Sequence, residues 1–216
     1  MAKLPDYCIW DFNGTILDDV GVGIASVNYL LRERGLPIIE NEEAYRRVFR
    51  FPIRDYYAGL GFDFSKEPYE VIAPLWVDQY MQRIGSATLY DGVREALEGF
   101  RSLGIRQTVL SATEKEMLRG QLVSLGIEDF FEEILGLDNI HAASKTALAR
   151  DWRIRHPDAS AIFVGDTDHD YETASMMRAE CYLITGGHQS TDYLEKMNVP
   201  LFQNVSEFYK YVCQIQ

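Results

Sequence analysis

The stretch YCIWDFNGTILDD, residues 7–19, decides how this chain folds. It opens on an apolar run that ends at Asp11, and Asn13 and Gly14 follow almost at once. A continuous apolar run before a glycine is typical of a buried strand in a parallel sheet. In open α/β sheets the ligand crevice lies beyond the C-terminal ends of the strands. Asp11 is therefore a candidate functional carboxylate, and the amide of Asn13 stands where a second acid could have helped it.

The composition is that of a globular protein with a substantial core. The chain has 216 residues, of which 47% are hydrophobic and 25% charged, which suits one domain or a core with a modest insertion. No apolar stretch approaches the roughly 20 residues that span a bilayer, and the opening MAKLPDYC does not resemble a secretory signal. We therefore expect a cytoplasmic protein that does not enter a membrane.

Charge and cysteine content exclude further classes. A net charge of −12 disfavours a nucleic-acid partner, although local cations could still bind a small anionic substrate. The three cysteines, Cys8, Cys181 and Cys213, lie far apart and form no Cys-x-x-Cys pair. Neither a disulfide framework nor a zinc site is expected from such a pattern.

Further apolar runs alternate with amphipathic helical patterns. The predicted strands are Tyr7–Asp11, Gln107–Ser111, Phe131–Leu135, Ala161–Asp166 and Cys181–Thr185, with a weaker one at Pro200–Phe202. Thr113 and Glu116 form a capping-box pattern before one of the helices. Regular alternation of this kind predicts a Rossmann-like α/β core with a doubly wound parallel sheet.

One interval interrupts the alternation. About a hundred residues separate Asp11 from Ser111, too many for a single crossover helix. Residues 17–87 have a helical pattern that begins with an apolar face containing Val20 and Leu31. We predict an α-helical cap domain at 17–87, inserted into an α/β core that comprises residues 1–16 and 88–216.

Four polar residues are predicted to converge at one edge of the sheet. Asp11, Ser111 and Asp166 each end an apolar run, and Lys145 opens a helix. Two carboxylates brought together resist joint ionisation unless a cation lies between them, and oxygen ligands without His or Cys favour Mg²⁺. Each residue taken alone also has an ordinary explanation, as a helix-terminal acid, a cap or a surface lysine. Their order and their placement at strand ends favour a site.

Taken together, these motifs resemble those of the haloacid dehalogenase superfamily, in its phosphoglycolate-phosphatase-like branch with a small helical cap. DFNGT is similar to the first motif, Asp-x-Asp-Gly-Thr, and VLSA, ending in Ala112, to the second. Lys145 and the segment VGDTDHD are similar to the third and fourth. The resemblance spans nearly the whole chain.

The resemblance implies a role for each matching residue. Asp11 would be the nucleophile that accepts a phosphoryl group, while Ser111, Ala112 and Lys145 would bind the phosphoryl oxygens. Mg²⁺ would be bound by Asp11, the main-chain carbonyl of Asn13, Asp166 and, in support, Asp170. The implied activity is Mg²⁺-dependent hydrolysis of a small phosphorylated metabolite, similar to phosphoglycolate, through an aspartyl phosphate, by a monomer or homodimer.

Asn13 departs from the family pattern. In family phosphatases the second acid protonates the leaving oxygen and then helps water to attack, and an amide can do neither, although its carbonyl can still bind metal. General acid–base help is worth about 10²–10⁴ in rate. We therefore expect slow hydrolysis of alkyl phosphates and a smaller handicap for better leaving groups. A phosphate-binding or regulatory protein with little turnover is the alternative.

Two other features leave questions open. YRRVFRFPIRDYY, residues 45–57, contains Arg50 and Arg54, which either bind a substrate carboxylate or second phosphate or lie on solvated helix faces. A phosphonoacetaldehyde-hydrolase-like cleavage of a carbon–phosphorus bond would need a cap lysine. Lys66, in a polar loop-like stretch, is the candidate for it.

Overall fold

The computed structural model describes residues 4–138 and 145–214, so that residues 1–3, 139–144 and 215–216 of the predicted core lie outside it. The strands are β1 (Tyr7–Trp10), β2 (Leu17–Asp18), β3 (Thr88–Leu89), β4 (Arg106–Glu114), β5 (Glu133–Leu137), β6 (Ala161–Gly165), β7 (Glu180–Ile184) and β8 (Leu201–Phe202). The α-helices are α1 (Val20–Glu33), α2 (Glu42–Val48), α3 (Ile53–Gly59), α4 (Tyr69–Arg83), α5 (Val93–Ser102), α6 (Lys115–Ser124), α7 (Thr146–Arg155), α8 (Asp168–Met177), α9 (Thr191–Leu194) and α10 (Val205–Gln214). Short 3₁₀ turns cover Ile84–Ser86, Glu128–Phe130 and Glu195–Met197. Across these residues, every helix is too short or too polar to span a lipid bilayer.

A six-stranded parallel sheet forms the centre of the molecule, in the order β5-β4-β1-β6-β7-β8. β1 lies between β4 and β6, and all four of its residues are buried. Cys8 and Trp10 pack into one apolar cluster with α5, α6 and α10, whereas Tyr7 and Ile9 pack into another with α7 and α8. Helices therefore cover both faces of the sheet, and the predicted Rossmann-like α/β fold is confirmed.

Strand order places the ligand crevice next to β1. From β1 the chain adds β4 and β5 on one side, and it then crosses over to build β6, β7 and β8 on the other. The order of the strands thus reverses between β1 and β6. In open α/β sheets ligands bind beyond the carboxyl ends of the strands at this point.

The predicted strand ends differ from the observed ones by at most three residues. β1 ends at Trp10 and β6 at Gly165, so Asp11 and Asp166 follow their strands directly. β4 extends past Ser111 as far as Glu114. Glu114, and not Thr113, caps α6, since its carboxylate accepts from the main-chain N–H groups of the first turn. The capping-box prediction for Thr113 was wrong because the strand continues through that residue.

The segment between β2 and β3 is helical and has its own apolar cluster. We call residues 20–86, which contain α1 to α4, the helical segment. Its buried residues include Val27 and Leu31 from α1 and Tyr57 from α3. β2 and β3 pair antiparallel where the chain leaves the sheet and returns to it. The predicted boundaries, with a cap at 17–87, stay a prediction.

Candidate active site

Three buried carboxylates and a lysine meet beyond the carboxyl ends of β1 and β6. Lys145 Nζ lies 2.6 Å from Asp11 Oδ1 and 2.5 Å from Asp170 Oδ1. One oxygen from each of Asp11, Asp166 and Asp170 lies within 4.8 Å of the others. Asp11, Asp166 and Lys145 were predicted to converge, and the structure brings them together with Asp170.

The loop after β6 fixes Asp170. This residue lies in the first turn of α8, and its Oδ2 accepts from the main-chain N–H groups of Asp166 and Thr167 and from the Thr167 hydroxyl. Thr167 Oγ1 in turn accepts from the N–H of Asp170, which completes a capping box. One oxygen of Asp170 therefore anchors the helix, and the other binds Lys145.

Burial and mutual repulsion control the charges at this site. Burial, together with the nearby Asp170 carboxylate, raises the pKa of Asp11 well above its usual range. Burial also raises the pKa of Asp166 to about 6, although the neighbouring His188 opposes that rise. Burial alone would lower the pKa of Lys145, but Asp11 and Asp170 outweigh it and raise that pKa.

This donor set fits a hard divalent cation. The carboxylate oxygens are buried and lie close together. Asp11 and Asp166 hold their protons more tightly than usual, first because they are buried and also because Asp170 repels them. All the donors are oxygens, with neither sulfur nor imidazole in the group, which is the ligand chemistry that Mg²⁺ prefers. A cation bound between these carboxylates could replace the protons on Asp11 and Asp166.

Gly14 makes the tight approach of the first loop possible. Its backbone φ is +77°, a value that residues with a side chain rarely adopt, and a Cβ there would lie 2.3 Å from Asp166 Oδ2. Thr15 Oγ1 donates to the other oxygen of Asp166 at 3.2 Å. The Gly-Thr pair of the opening stretch thus joins the ends of β1 and β6.

Every polar end of the Asn13 side chain has a partner. Its Nδ2 donates to Asp19 Oδ2 at 2.9 Å and to the Tyr80 hydroxyl at 2.8 Å. Its Oδ1 accepts from Thr113 Oγ1 at 2.9 Å and from Ser111 Oγ at 3.3 Å. An amide can make both kinds of contact at once, which a carboxylate cannot.

A second charged pair lies beside Asn13. His188 Nε2 is 3.3 Å from Asp19 Oδ1, and Tyr45 OH is 2.8 Å from His188 Nδ1. Burial opposes a charge on His188, but Asp19 and Asp166 outweigh it and raise the pKa of His188 to about 9. Burial likewise opposes ionisation of Asp19, yet His188 lowers its pKa below the usual value. We therefore expect an imidazolium–carboxylate pair at neutral pH.

Sequence reasoning missed four of these residues, namely Asp19, Tyr80, Thr113 and His188. Asp19 ends the opening stretch, and its place beside a strand-end loop was the one available signal. Tyr80 and His188 lie 61 and 169 residues further along the chain, and no pattern in either segment links them to Asn13.

A cavity of about 580 Å³ connects this site with the helical segment. Ser111, Ala112 and Lys145 line it at the sheet, and Arg54 lines it at α3. Arg50 is not among the described residues that line the cavity. Its Nε donates to the main-chain carbonyl of Val48. The two arginines therefore differ in their access to a ligand.

Comparison with known protein families identifies the family of this chain. The model for haloacid dehalogenase-like hydrolases matches residues 8–184, which is most of the chain. The chain belongs to the haloacid dehalogenase-like hydrolase family. Its membership confirms the resemblance that the four motifs indicated.

The relatives of this chain include proteins named as a kinase and as phosphatases. Tyrosine-protein kinase PtkA of Mycobacterium tuberculosis is 25% identical over 198 residues, covering 90% of this chain and 67% of that protein. Phosphoglycolate phosphatase of Pseudomonas savastanoi is 23% identical over 201 residues, covering 87% of this chain and 72% of that protein. Phosphatases are thus among the relatives, at identities too low to carry an activity across directly.

Solved structures share the fold. A haloacid dehalogenase-like family protein from Streptococcus pneumoniae superposes with a TM-score of 0.81 at 20% identity, covering 96% of this chain and 98% of that one. The structure of M. tuberculosis PtkA gives a TM-score of 0.80 at 23% identity, covering 98% and 99%. At these identities the likeness shows the fold alone.

Proposed function

We propose that this family member is a Mg²⁺-dependent phosphatase that hydrolyses a small phosphate monoester through an aspartyl phosphate on Asp11. The observation that carries the proposal is the Asp11 carboxylate, bound to Lys145 through Oδ1 and facing a cavity next to Asp166 and Asp170. A buried carboxylate held by a lysine in a cation-binding cluster suits nucleophilic attack on a phosphate.

The first step transfers the phosphoryl group to the enzyme. The oxygen of Asp11 that does not bind Lys145 attacks phosphorus, and the bond between phosphorus and the leaving oxygen breaks. Lys145 and the Ser111 hydroxyl bind the phosphoryl oxygens as charge develops on them, together with the main chain at Ala112. Mg²⁺, held by Asp11, Asp166, the main-chain carbonyl of Asn13 and, in support, Asp170, would reduce the repulsion between the anionic nucleophile and the anionic phosphate.

The second step releases phosphate. Water attacks phosphorus of the aspartyl phosphate, the bond to the Asp11 oxygen breaks, and the carboxylate is regenerated. Asn13 supplies no proton to the leaving group and takes none from the water, so both protons must move through solvent or substrate. Since that help is typically worth about 10²–10⁴ in rate, we expect turnover to be slow for alkyl esters and faster for aryl esters.

Trapping the phosphorylated enzyme tests the proposal. Incubation with an aryl phosphate and Mg²⁺ should add one phosphoryl group to Asp11, seen by mass spectrometry of the rapidly acidified protein, and release phosphate over time. Asp11→Asn should remove both signals, because an amide oxygen is a poor nucleophile. Asp78→Asn removes an exposed carboxylate of α4 and should change neither signal. Turnover that persists in the Asp11→Asn variant would disprove the assignment of Asp11 as the nucleophile.

A phosphate-binding protein with little turnover is the second candidate. The observation that favours it is Asn13, whose amide is fully engaged and cannot act as an acid or base. This candidate predicts that inorganic phosphate binds in the presence of Mg²⁺ while an aryl phosphate gives neither product nor adduct.

The position of Lys66 does not support carbon–phosphorus cleavage. Its side chain is 83% exposed and pairs with Asp63 at 3.1 Å. In the described part of the chain, the residues that line the cavity do not include it. An imine-forming lysine works best in a desolvated site beside its substrate.

The remaining predictions belong to the same proposal. We propose that residues 17–87, which contain the helical segment, form the cap, because the helical segment supplies one wall of the cavity over Asp11. The relatives named phosphoglycolate phosphatases make a phosphoglycolate-like substrate one candidate, and Arg54, which lines the cavity, would be the residue to bind its carboxylate. A cytoplasmic location and a monomeric or homodimeric state are parts of this proposal.

A further inference from the structure

The wall of the cavity that faces the sheet is made largely of aromatic rings. These rings come from α3, from α4 and from the turn between α2 and α3, and they include Phe49, Phe51, Tyr56, Tyr57, Tyr69 and Trp76. They join the same cavity that Asp11 and Lys145 line at its other end. A phosphate bound at Asp11 would therefore place the rest of its molecule against this wall.

The rings support one another as a continuous surface. Phe49 and Tyr56 lie 5.2 Å apart between ring centroids, Tyr56 and Tyr57 lie 5.5 Å apart, and Tyr57 and Tyr69 lie 5.9 Å apart. These separations are typical of favourable aromatic pairs. Because these four rings pack on one another, this part of the wall is formed without a ligand.

Few charges interrupt this wall. Of the described residues that the helical segment contributes to the cavity, Arg54 and Glu70 are the charged ones. The guanidinium of Arg54 lies 5.1 Å from the centroid of the Phe64 ring, which already holds it. A ligand with several carboxylates or hydroxyls would find few partners here.

One polar atom in the wall has no partner. The Tyr56 side chain is almost fully buried and lines the cavity, and its hydroxyl makes no hydrogen bond with the described residues. Burying a hydroxyl without a partner is costly, so such atoms often contact a ligand or water. Tyr56 thus offers one hydrogen bond within an otherwise apolar surface.

We propose that the substrate is a phosphate monoester whose alcohol carries an aromatic ring, with one polar group within reach of the Tyr56 hydroxyl. The proposal rests on the proposed function, because it takes the phosphate to bind at Asp11. The volume of about 580 Å³ lies within the roughly 300–1,000 Å³ of sites for ligands of drug size. A two-carbon phosphoglycolate is too short to contact most of the aromatic wall.

Binding of non-hydrolysable phosphonates separates affinity from leaving-group chemistry. Titration calorimetry with Mg²⁺ would compare benzylphosphonate, phosphonoacetate and inorganic phosphate on the wild-type protein. We expect benzylphosphonate to bind about tenfold or more tightly than phosphonoacetate, since its ring is buried against the wall.

A matched pair of variants on α4 locates the effect. Val77 lines the cavity, whereas Val71 on the same helix is 49% exposed. Val77→Asp should weaken the binding of benzylphosphonate about tenfold and leave the binding of inorganic phosphate nearly unchanged, because a carboxylate in the wall must be desolvated when the ring binds. Val71→Asp should change neither. If Val77→Asp folds poorly, Val77→Thr keeps the shape and should give a smaller loss of the same kind.

The possible results are distinguishable. Equal or tighter binding of phosphonoacetate, with inorganic phosphate still bound, would overturn the aromatic substrate class and leave the proposed function standing. Absence of binding by phosphate and both phosphonates would overturn the proposed function and this inference with it. Unchanged benzylphosphonate binding in both folded Val77 variants would place the ring elsewhere and overturn the assignment of the wall.

Discussion

At the scale of single residues, Asn13 is matched to its neighbours and is more than a missing acid. Its Nδ2 faces the Asp19 carboxylate, which is buried and paired with His188. A carboxylate in place of the amide would bring two acidic oxygens to about the 2.9 Å that now separates Nδ2 from Asp19 Oδ2. Such a pair resists joint ionisation. The identity of residue 13 is therefore coupled to that of Asp19.

Exchanging the two side chains tests this coupling. Asn13→Asp alone should lower the free energy of unfolding by about 1–3 kcal/mol, because it leaves two buried carboxylates in contact. Asn13→Asp with Asp19→Asn restores an amide–carboxylate pair, so the double variant should be less destabilised than the sum of the two single changes. Urea denaturation of the four proteins measures the cycle. Strict additivity would show that the two residues are not coupled.

At the scale of elements, the sequence predicts the features that local pattern determines. The apolar runs identified all six strands of the main sheet, and the runs of the central strands β1 and β6 are buried throughout. The strand-end rule brought Asp11 and Asp166 together, because residues at the ends of neighbouring parallel strands must be close. Thr113 was misassigned as a cap, since how far β4 continues depends on its pairing with β5 and not on local residues.

The sequence patterns did not predict contacts between residues that lie far apart along the chain. Tyr80 reaches Asn13 because α4 packs against α1 and carries its hydroxyl to the sheet edge. His188 reaches Asp19 from the loop after β7. Neither residue carries a local signal of its partner. The structure thus brings the predicted carboxylates and lysine close together, while the residues around the amide could not be found from the sequence.

The junction of β4 and β5 offers a prediction at this scale. A Cβ at Gly136 in β5 would lie 2.6 Å from Lys115 Cα and 2.9 Å from the Thr113 carbonyl oxygen, both of which are main-chain atoms. Gly136→Ala should therefore push the end of β4 away and lower the free energy of unfolding by about 1–3 kcal/mol. Urea denaturation measures this loss.

Gly120 provides the matched control for that variant. It lies inside α6, and a Cβ there would meet nothing within 4 Å. Gly120→Ala should be neutral or should stabilise the protein by about 0.5–1 kcal/mol, because alanine favours a helix. Equal effects of the two substitutions would mean that the close approach at Gly136 is not a constraint.

At the scale of the whole molecule, the site joins parts of the chain that fold around separate cores. Asp19 directly precedes the helical segment, Tyr80 lies within it, and Asn13 belongs to the loop after β1. The three side chains nevertheless form one hydrogen-bonded group. Across the molecule, Arg46 Nε also donates to the carbonyl of Gly187 at 2.8 Å. The position of the helical segment over the sheet is thus linked to the same residues that surround Asp11.

The titration of the acidic cluster predicts how pH and Mg²⁺ together affect the stability of the molecule. The pKa of Asp166 is raised to about 6 in the folded protein, so the stability it contributes is fully present below its usual pKa and is lost as pH rises through about 6. His188, with its pKa raised to about 9, adds a stabilising contribution that is lost at higher pH still. The metal-free protein should therefore melt at a lower temperature at pH 7.5 than at pH 5.

Mg²⁺ should reverse that trend, because it competes with the protons on Asp166 and Asp11. Below pH 6 its affinity should fall by about tenfold per pH unit for one competing proton, so the rise in melting temperature on adding Mg²⁺ should be small at pH 5 and large at pH 7.5. Scanning calorimetry in EDTA and in millimolar Mg²⁺ at the two pH values measures both effects. Asp166→Asn should remove most of the Mg²⁺-dependent rise at pH 7.5, whereas Asp78→Asn, which alters an exposed residue of α4, should keep it. A rise of equal size at both pH values would mean that the cation does not bind at the buried carboxylates.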